Sequence, residues 1–266
     1  QEWLTEDQLN QLLKEIGSHP GKSLIEANSA VYDMLLKHTV DRNEITGDDF
    51  PTVQFIDFQN PERNHFVAIN QFRIDTPGAV KTSIIPDVVL FVNGLPLVLV
   101  ECKERNANCA NPEHEALAQF LRYSNQREDT HEAGLREGEE KLFHANQLVI
   151  LAWGEDARVG TITSREEHFY QWRDIAHEEH QTYDSPLGTA RPQEVLVQGI
   201  LPKSTLLNIV RNFIVFQSNE DRVIKIACRY PQYRAVERTI DRLRSGETPL
   251  DRSGTVWHTQ GSGKSI

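Results

Sequence analysis

Residues 86–103 constrain this chain more than any other stretch. Two runs rich in β-branched, aromatic and other apolar residues, Val88–Val92 and residues 95–100, flank an Asn93-Gly94 pair. That arrangement is the strongest short-range signal for a β-hairpin. Asp87 opens the first strand, and Glu101 and Lys103 close the second. A buried hairpin ending in two carboxylates and an ammonium suits a divalent metal with a charge-stabilising lysine beside it. Mg²⁺ is hard and octahedral, keeps several waters, and takes only one or two carboxylates from a protein. It polarises a phosphoryl oxygen and acidifies water. Lys103 lies two residues past Glu101 and therefore shares its strand face.

Register decides whether the two carboxylates can meet. A two-residue turn at Asn93-Gly94 pairs Val92 with Leu95 and sets Asp87 opposite Val100, with Glu101 and Lys103 on the other face. A three-residue loop, with Gly94 left-handed in a bulge, pairs Val92 with Pro96 and Asp87 with Glu101. A one-residue slip flips every side chain. The metal reading therefore expects the bulged loop and a positive φ at Gly94. The alternative is a core hairpin whose charged ends are solvated.

The spacing Pro86-Asp87…Glu101-x-Lys103 resembles the PD-(D/E)xK nuclease superfamily, in which these residues hold Mg²⁺ against a scissile phosphate. Further on, Asn111-Pro112-Glu113 reads as a helix start, with Asn as N-cap and Pro at the first helical position. Gln119 and Tyr123 are four apart on one face of that helix. Taken alone they are an ordinary half-exposed pair. A Gln-x-x-x-Tyr helix shortly after Glu-x-Lys resembles the RecB-like branch, and more narrowly the restriction subunit of type I restriction-modification enzymes. The resemblance implies that Gln119 and Tyr123 contact DNA or support the metal site.

Residues 257–265 read Trp-His-Thr-Gln-Gly-Ser-Gly-Lys-Ser and end like a P-loop, whose amides cradle phosphates while its Lys and Ser serve the γ-phosphate and Mg²⁺. The strict pattern asks for Gly where His258 stands, a departure common in helicase-type loops. Thr259, Gly261, Gly263, Lys264 and Ser265 are the candidate nucleotide-binding residues. Upstream, residues 229–236 resemble the adenine-reading Q motif of the same subunits, which assigns Gln232 to the adenine edge. Its plainer reading is a polar residue at a helix start. Hairpin, Gln-x-x-x-Tyr helix and P-loop in this order are more specific than any one of them.

The 266 residues allow one large domain, or a domain and part of another. The longest apolar stretch, near 88–100, is broken by Asn-Gly and Leu-Pro and is too short to span a bilayer. Nothing at the start reads as a cleavable signal. Cys102, Cys109 and Cys228 are odd in number and lack zinc-like spacing, which fits a reducing cytoplasm. His177-Glu178-Glu179-His180 lacks the spacing of a zincin helix and reads as a solvated segment. The net charge of −11 is unusual for a DNA-binding protein. Residues 201–246 run the other way, with nine Lys or Arg against four Asp or Glu. Weak DNA affinity is therefore expected of the acidic part, with partner subunits or motor lobes delivering the DNA.

Helices are expected near 5–16, 23–37 and 113–127, and strands near 53–58, 65–73, 87–103, 146–153 and 157–163. This α/β pattern, helices around a mixed central sheet, fits a restriction-endonuclease-like PD-(D/E)xK core. The polar stretch 174–193 is the expected boundary between an endonuclease domain, 1–190, and the start of a RecA-like motor lobe, 191–266. Because the chain begins without Met and ends just after Ser265, it reads as a fragment, with ATP hydrolysis belonging to a longer parent.

By resemblance, the expected reaction is Mg²⁺-dependent hydrolysis of double-stranded DNA. Asp87 and Glu101 would be metal ligands and Lys103 the charge stabiliser. Mg·ATP would drive DNA translocation in the full-length protein. Separate methyltransferase and specificity subunits would complete the complex, with no membrane involved. Two alternatives stay open: a translocase whose nuclease-like domain does not cut, and a decayed nuclease fold used for docking. Glu26, on the early amphipathic helix, is either a further ligand or a solvated face residue.

Overall fold

The computed structural model describes residues 2–104, 106, 109–129, 133–173, 184–185, 188–189, 191–219 and 222–257. The P-loop residues Thr259, Gly261, Gly263, Lys264 and Ser265, the 177–180 segment and most of the expected domain boundary lie outside these.

Two capped helices open the chain, α1 (Glu6–Gly17) and α2 (Leu24–Leu36). The Thr5 hydroxyl accepts the Gln8 amide at 3.2 Å while the Gln8 carboxamide accepts the Thr5 amide at 3.1 Å. This reciprocal box satisfies donors that an α-helix start leaves orphaned. Five strands form the central sheet: β1 (Phe66–Asn70), β2 (Val88–Val92), β3 (Leu95–Lys103), β4 (Leu148–Trp153) and β5 (Asp156–Gly160). They lie in the order β1-β2-β3-β4-β5, antiparallel except for the β3–β4 pair. A parallel pair needs a crossover. Here the connection carries α3 (Pro112–Tyr123) and the short α4 (Lys141–His144), and α3 packs on β3 and β4. The result is a mixed sheet with helices, as the α/β pattern implied.

Both faces of the sheet are covered, so β4 is apolar throughout and alternates between two cores. Val149 and Leu151 join Val89, Leu99, Leu117, Phe120 and Tyr123 on the α3 side. Leu148, Ile150 and Ala152 join Leu97, Val98, Leu196 and Leu206 on the other. The second face is closed by α5 (Pro192–Ile200) and α6 (Lys203–Asn212). A two-stranded hairpin follows, β6 (Ile214–Asn219) with β7 (Arg222–Ala227), and then α7 (Tyr230–Ser245). Among the described residues no helix is long and apolar enough to cross a membrane.

Three expectations need correction. The strand expected over 53–58 is only Thr52–Val53, paired with His38–Thr39. The strand expected to reach residue 73 stops at Asn70, because Gln71 turns left-handed at φ +50°. The helix expected to run to 127 ends at Tyr123. There Asn125 takes φ +56°, and its side-chain oxygen accepts the Glu137 and Gly138 amides at 2.8 and 2.6 Å. A left-handed Asn near a helix C-terminus is a familiar stop.

The hairpin differs most instructively. The expected three-residue loop does not form. Asn93 and Gly94 have φ +50° and +83°, and Val92 faces Leu95 across a two-residue turn. The register then shifts: Phe91 faces Pro96, but Leu90 faces Val98 and Val88 faces Val100, which leaves Leu97 as an extra residue in β3. One step further, Asp87 comes opposite Glu101. The facing required for the metal reading is thus met by a bulge within the strand rather than in the loop.

Candidate active site

Glu101 and Lys103 share strand parity with Leu99, and Asp87 shares it with Val89, so all three candidate side chains belong to the α3 face. Glu101 is 1% exposed. Its Oε1 accepts Lys103 Nζ at 2.6 Å, while its Oε2 is buried with no hydrogen-bond partner among the described residues. Burial pushes the Glu101 carboxyl up to about 7, the Lys103 ammonium pulls it down, and the Asp87 charge adds to the rise. The Asp87 carboxylate is held at both oxygens. Oδ1 accepts Gln71 Nε2 at 2.8 Å and Oδ2 accepts the Cys102 amide at 2.8 Å.

The α3 pair reaches the same place. Gln119 Nε2 donates to the Tyr123 hydroxyl at 2.8 Å, and that hydroxyl donates to the Ile85 carbonyl at 2.9 Å, two residues before Asp87. Burial raises the Tyr123 phenol to about 12, with the Glu101 and Asp87 charges contributing. Tyr123 is buried, so its ring supports the loop that presents Asp87 and offers no open face to a ligand.

The donor set fits a hard divalent cation. Two carboxylates from neighbouring strands converge, and an unpartnered, buried carboxylate oxygen is a costly feature unless something positive completes it. Among the described residues no group of three or more His, Cys, Asp or Glu is arranged to hold a metal, so two carboxylates are what the chain provides here. A pair of carboxylates would leave the remaining positions of a hard cation to water.

Other sequence candidates are not brought to this place. Glu26 is exposed at the start of α2, where its Oε2 accepts the Ser23 amide at 2.8 Å and the Ser23 hydroxyl at 2.7 Å. It serves as a helix cap. Gln232 also sits in a helix start: its Oε1 accepts the Arg229 amide at 2.6 Å, opening α7. It lines a cavity of about 340 Å³ with Arg165, His168, Arg222 and Arg229, on the hairpin side of the molecule. Sequence reasoning assigned no role to Gln71 or to the Cys102 amide. Only the left-handed backbone and the strand register reveal them.

Over residues 2–168 the chain matches the family described as type I restriction enzyme R protein N terminus, and over 231–266 the SWI2/SNF2 ATPase family. It is similar to the type I restriction enzyme HindI endonuclease subunit of Haemophilus influenzae, 31% identical over 99% of this chain and 24% of the relative. A putative type I restriction enzyme MjaIXP endonuclease subunit of Methanocaldococcus jannaschii is 26% identical over 99% of the chain and 25% of the relative. A Staphylococcus aureus relative, the SauCOLORF180P endonuclease subunit, is 27% identical over 99% and 24%. The chain spans about a quarter of the length of these curated relatives.

Proposed function

The chain belongs to the type I restriction enzyme R protein N-terminal family, and from that premise we propose that it carries the DNA-cleaving site of a restriction enzyme. The reading assigns the fold to the PD-(D/E)xK class and the reaction to hydrolysis of double-stranded DNA phosphodiesters. The observation that carries it is the bulged hairpin register, whose last rung, Val88 with Val100, leaves Asp87 and Glu101 next in line on the two chains, with one Glu101 oxygen buried and unpartnered among the described residues.

Asp87 and Glu101 would hold Mg²⁺, which when bound would supply Lewis-acid activation of the phosphate and an acidified water. Lys103, whose Nζ lies 2.6 Å from Glu101 Oε1, would place a positive charge at the phosphate or orient the attacking water. Gln119 and Tyr123 fix the Ile85 carbonyl and through it the approach of Asp87. The apolar α3 core beneath supports these groups at the ends of the inner strands β2 and β3.

We further assign residues 1–190 to this endonuclease domain and 191–266 to a linker and the beginning of a RecA-like motor lobe. The sequence of Thr259, Gly261, Gly263, Lys264 and Ser265 supports Mg·ATP binding in the full-length protein, with Gln232 at the adenine. Methyltransferase and specificity subunits in the cytoplasm would supply methylation and sequence choice. The test is cleavage of unmodified plasmid DNA by the assembled complex with ATP, with and without Mg²⁺. Cutting that persists unchanged in Glu101→Ala would place the chemistry elsewhere.

A further inference from the structure

Asp87 is held by an unusual neighbour. β1 ends where Gln71 takes φ +50°, a conformation that L residues rarely adopt and that Asn, Asp and His favour more than Gln. In that conformation the Gln71 amide donates to the Asp87 carbonyl at 2.8 Å, and the Gln71 carboxamide donates to Asp87 Oδ1 at 2.8 Å. The Cys102 amide takes the other oxygen. One donor on each oxygen fixes the rotation of the carboxylate, and each oxygen keeps a further lone pair for a cation.

Resting on the nuclease reading, we infer that Gln71 is a positioning residue of the metal site, orienting Asp87 toward a divalent cation. Three features support it. The Gln71 side chain is exposed and takes no part in either core, so packing does not require it. A backbone at φ +50° is easiest for glycine, so a fold-only role would be better served without a side chain. A neutral carboxamide also orients a carboxylate without bringing a cation to compete for it, unlike Lys103 at Glu101.

The test uses Gln71→Gly, which suits the backbone and removes the carboxamide, and Gln71→Asn, which tolerates the left-handed backbone but is one methylene too short. Both are made in the full-length subunit. Mn²⁺ affinity without nucleotide is measured by calorimetry, and the half-saturating Mg²⁺ for cleavage is measured in the assembled enzyme. Outer partners of metal ligands typically contribute about 10- to 100-fold in metal affinity. Both variants should bind Mn²⁺ that much more weakly and need correspondingly more Mg²⁺, with cleavage recovering at saturating metal and no loss of melting temperature in Gln71→Gly. Unchanged metal affinity, or a fall in melting temperature without a shift in half-saturation, overturns the inference. Asp87→Ala serves as reference: if it too binds Mn²⁺ like the parent, the nuclease-site reading itself fails.

Discussion

Asp87 Oδ2 accepts the backbone amide of Cys102 at 2.8 Å, so a side chain of one strand bonds the backbone of the next just beyond the last paired rung, Val88 with Val100. The bond ties Asp87 to the residue between Glu101 and Lys103. It exists because Leu97 is an extra residue in β3; in unbroken register Asp87 would face Val100, with Glu101 on the opposite side of the sheet.

Removing Asp87, Glu101 or Lys103 should separate the two activities expected of the full-length enzyme. In the assembled complex, Asp87→Ala and Glu101→Ala should abolish DNA cleavage. Lys103→Ala should slow it by about 10²–10³-fold, the usual effect of losing one charge-stabilising donor. ATP hydrolysis should stay near the parent rate in all three. Parallel assays of nicking and phosphate release check this, and loss of both activities together would point to misfolding.

Stability should depend on pH through Glu101. Its folded carboxyl titrates at about 7 against an ordinary 4.5, because burial disfavours the charge. Between those values the folded chain keeps a proton that the unfolded chain has released. In metal-free buffer, this contribution is therefore full below about pH 4.5, declines as pH rises to about 7 and is flat above. Its size is on the order of 3 kcal/mol. Urea titrations across pH should show that Glu101→Gln loses this slope. At pH 6, metal binding should release a proton, seen as a buffer-dependent heat.

The turn should be sensitive to Asn93 beyond its backbone. Asn93 accepts the His65 amide at 2.8 Å and donates to the Phe55 carbonyl and to Asn64 Oδ1 at 2.8 and 2.9 Å. Asn93→Ala loses all three bonds and places a side chain without a left-handed preference at φ +50°. A destabilisation of about 2–3 kcal/mol is expected. Asn93→Gly should cost less, since the backbone term disappears. Chemical denaturation of the pair separates the two contributions.

Lys225 should matter for stability far more than a strand lysine usually does. It is buried, with Nζ donating to Asn28 Oδ1 and the Asn146 carbonyl at 2.8 Å and to Gln147 Oε1 at 2.7 Å. These three acceptors join α2, the approach to β4 and the β6–β7 hairpin. Lys225→Met fills the volume but strands the buried side-chain oxygens of Asn28 and Gln147, each costing about 1–3 kcal/mol, while the Asn146 carbonyl keeps the Asn28 amide at 2.7 Å. A loss on the scale of their sum, by thermal or urea unfolding, is expected. A near-neutral result would mean that water replaces the ammonium.

Much of the candidate site is legible in the sequence, because it depends on local rules. Alternation puts Glu101 and Lys103 on one strand face, helical spacing puts Gln119 beside Tyr123, and Asn111-Pro112 opens the helix that carries them. Asn93-Gly94 marks the turn. Each of these is decided within a few residues. The bulge is not. The Leu97 carbonyl accepts the Gln147 amide at 2.7 Å, from fifty residues away, and the turn is docked by Asn93 onto the 55–65 segment. The left-handed Gln71 is matched to Asp87 in the same way, and the Lys225 cage gathers Asn28 and the adjacent Asn146 and Gln147 from two distant parts of the chain. Sequence alone set which groups could make the site and on which elements they ride. Whether Asp87 and Glu101 face one another turned on hydrogen bonds between distant segments, and a single-residue shift in register, invisible to local pattern, reverses the face of every side chain.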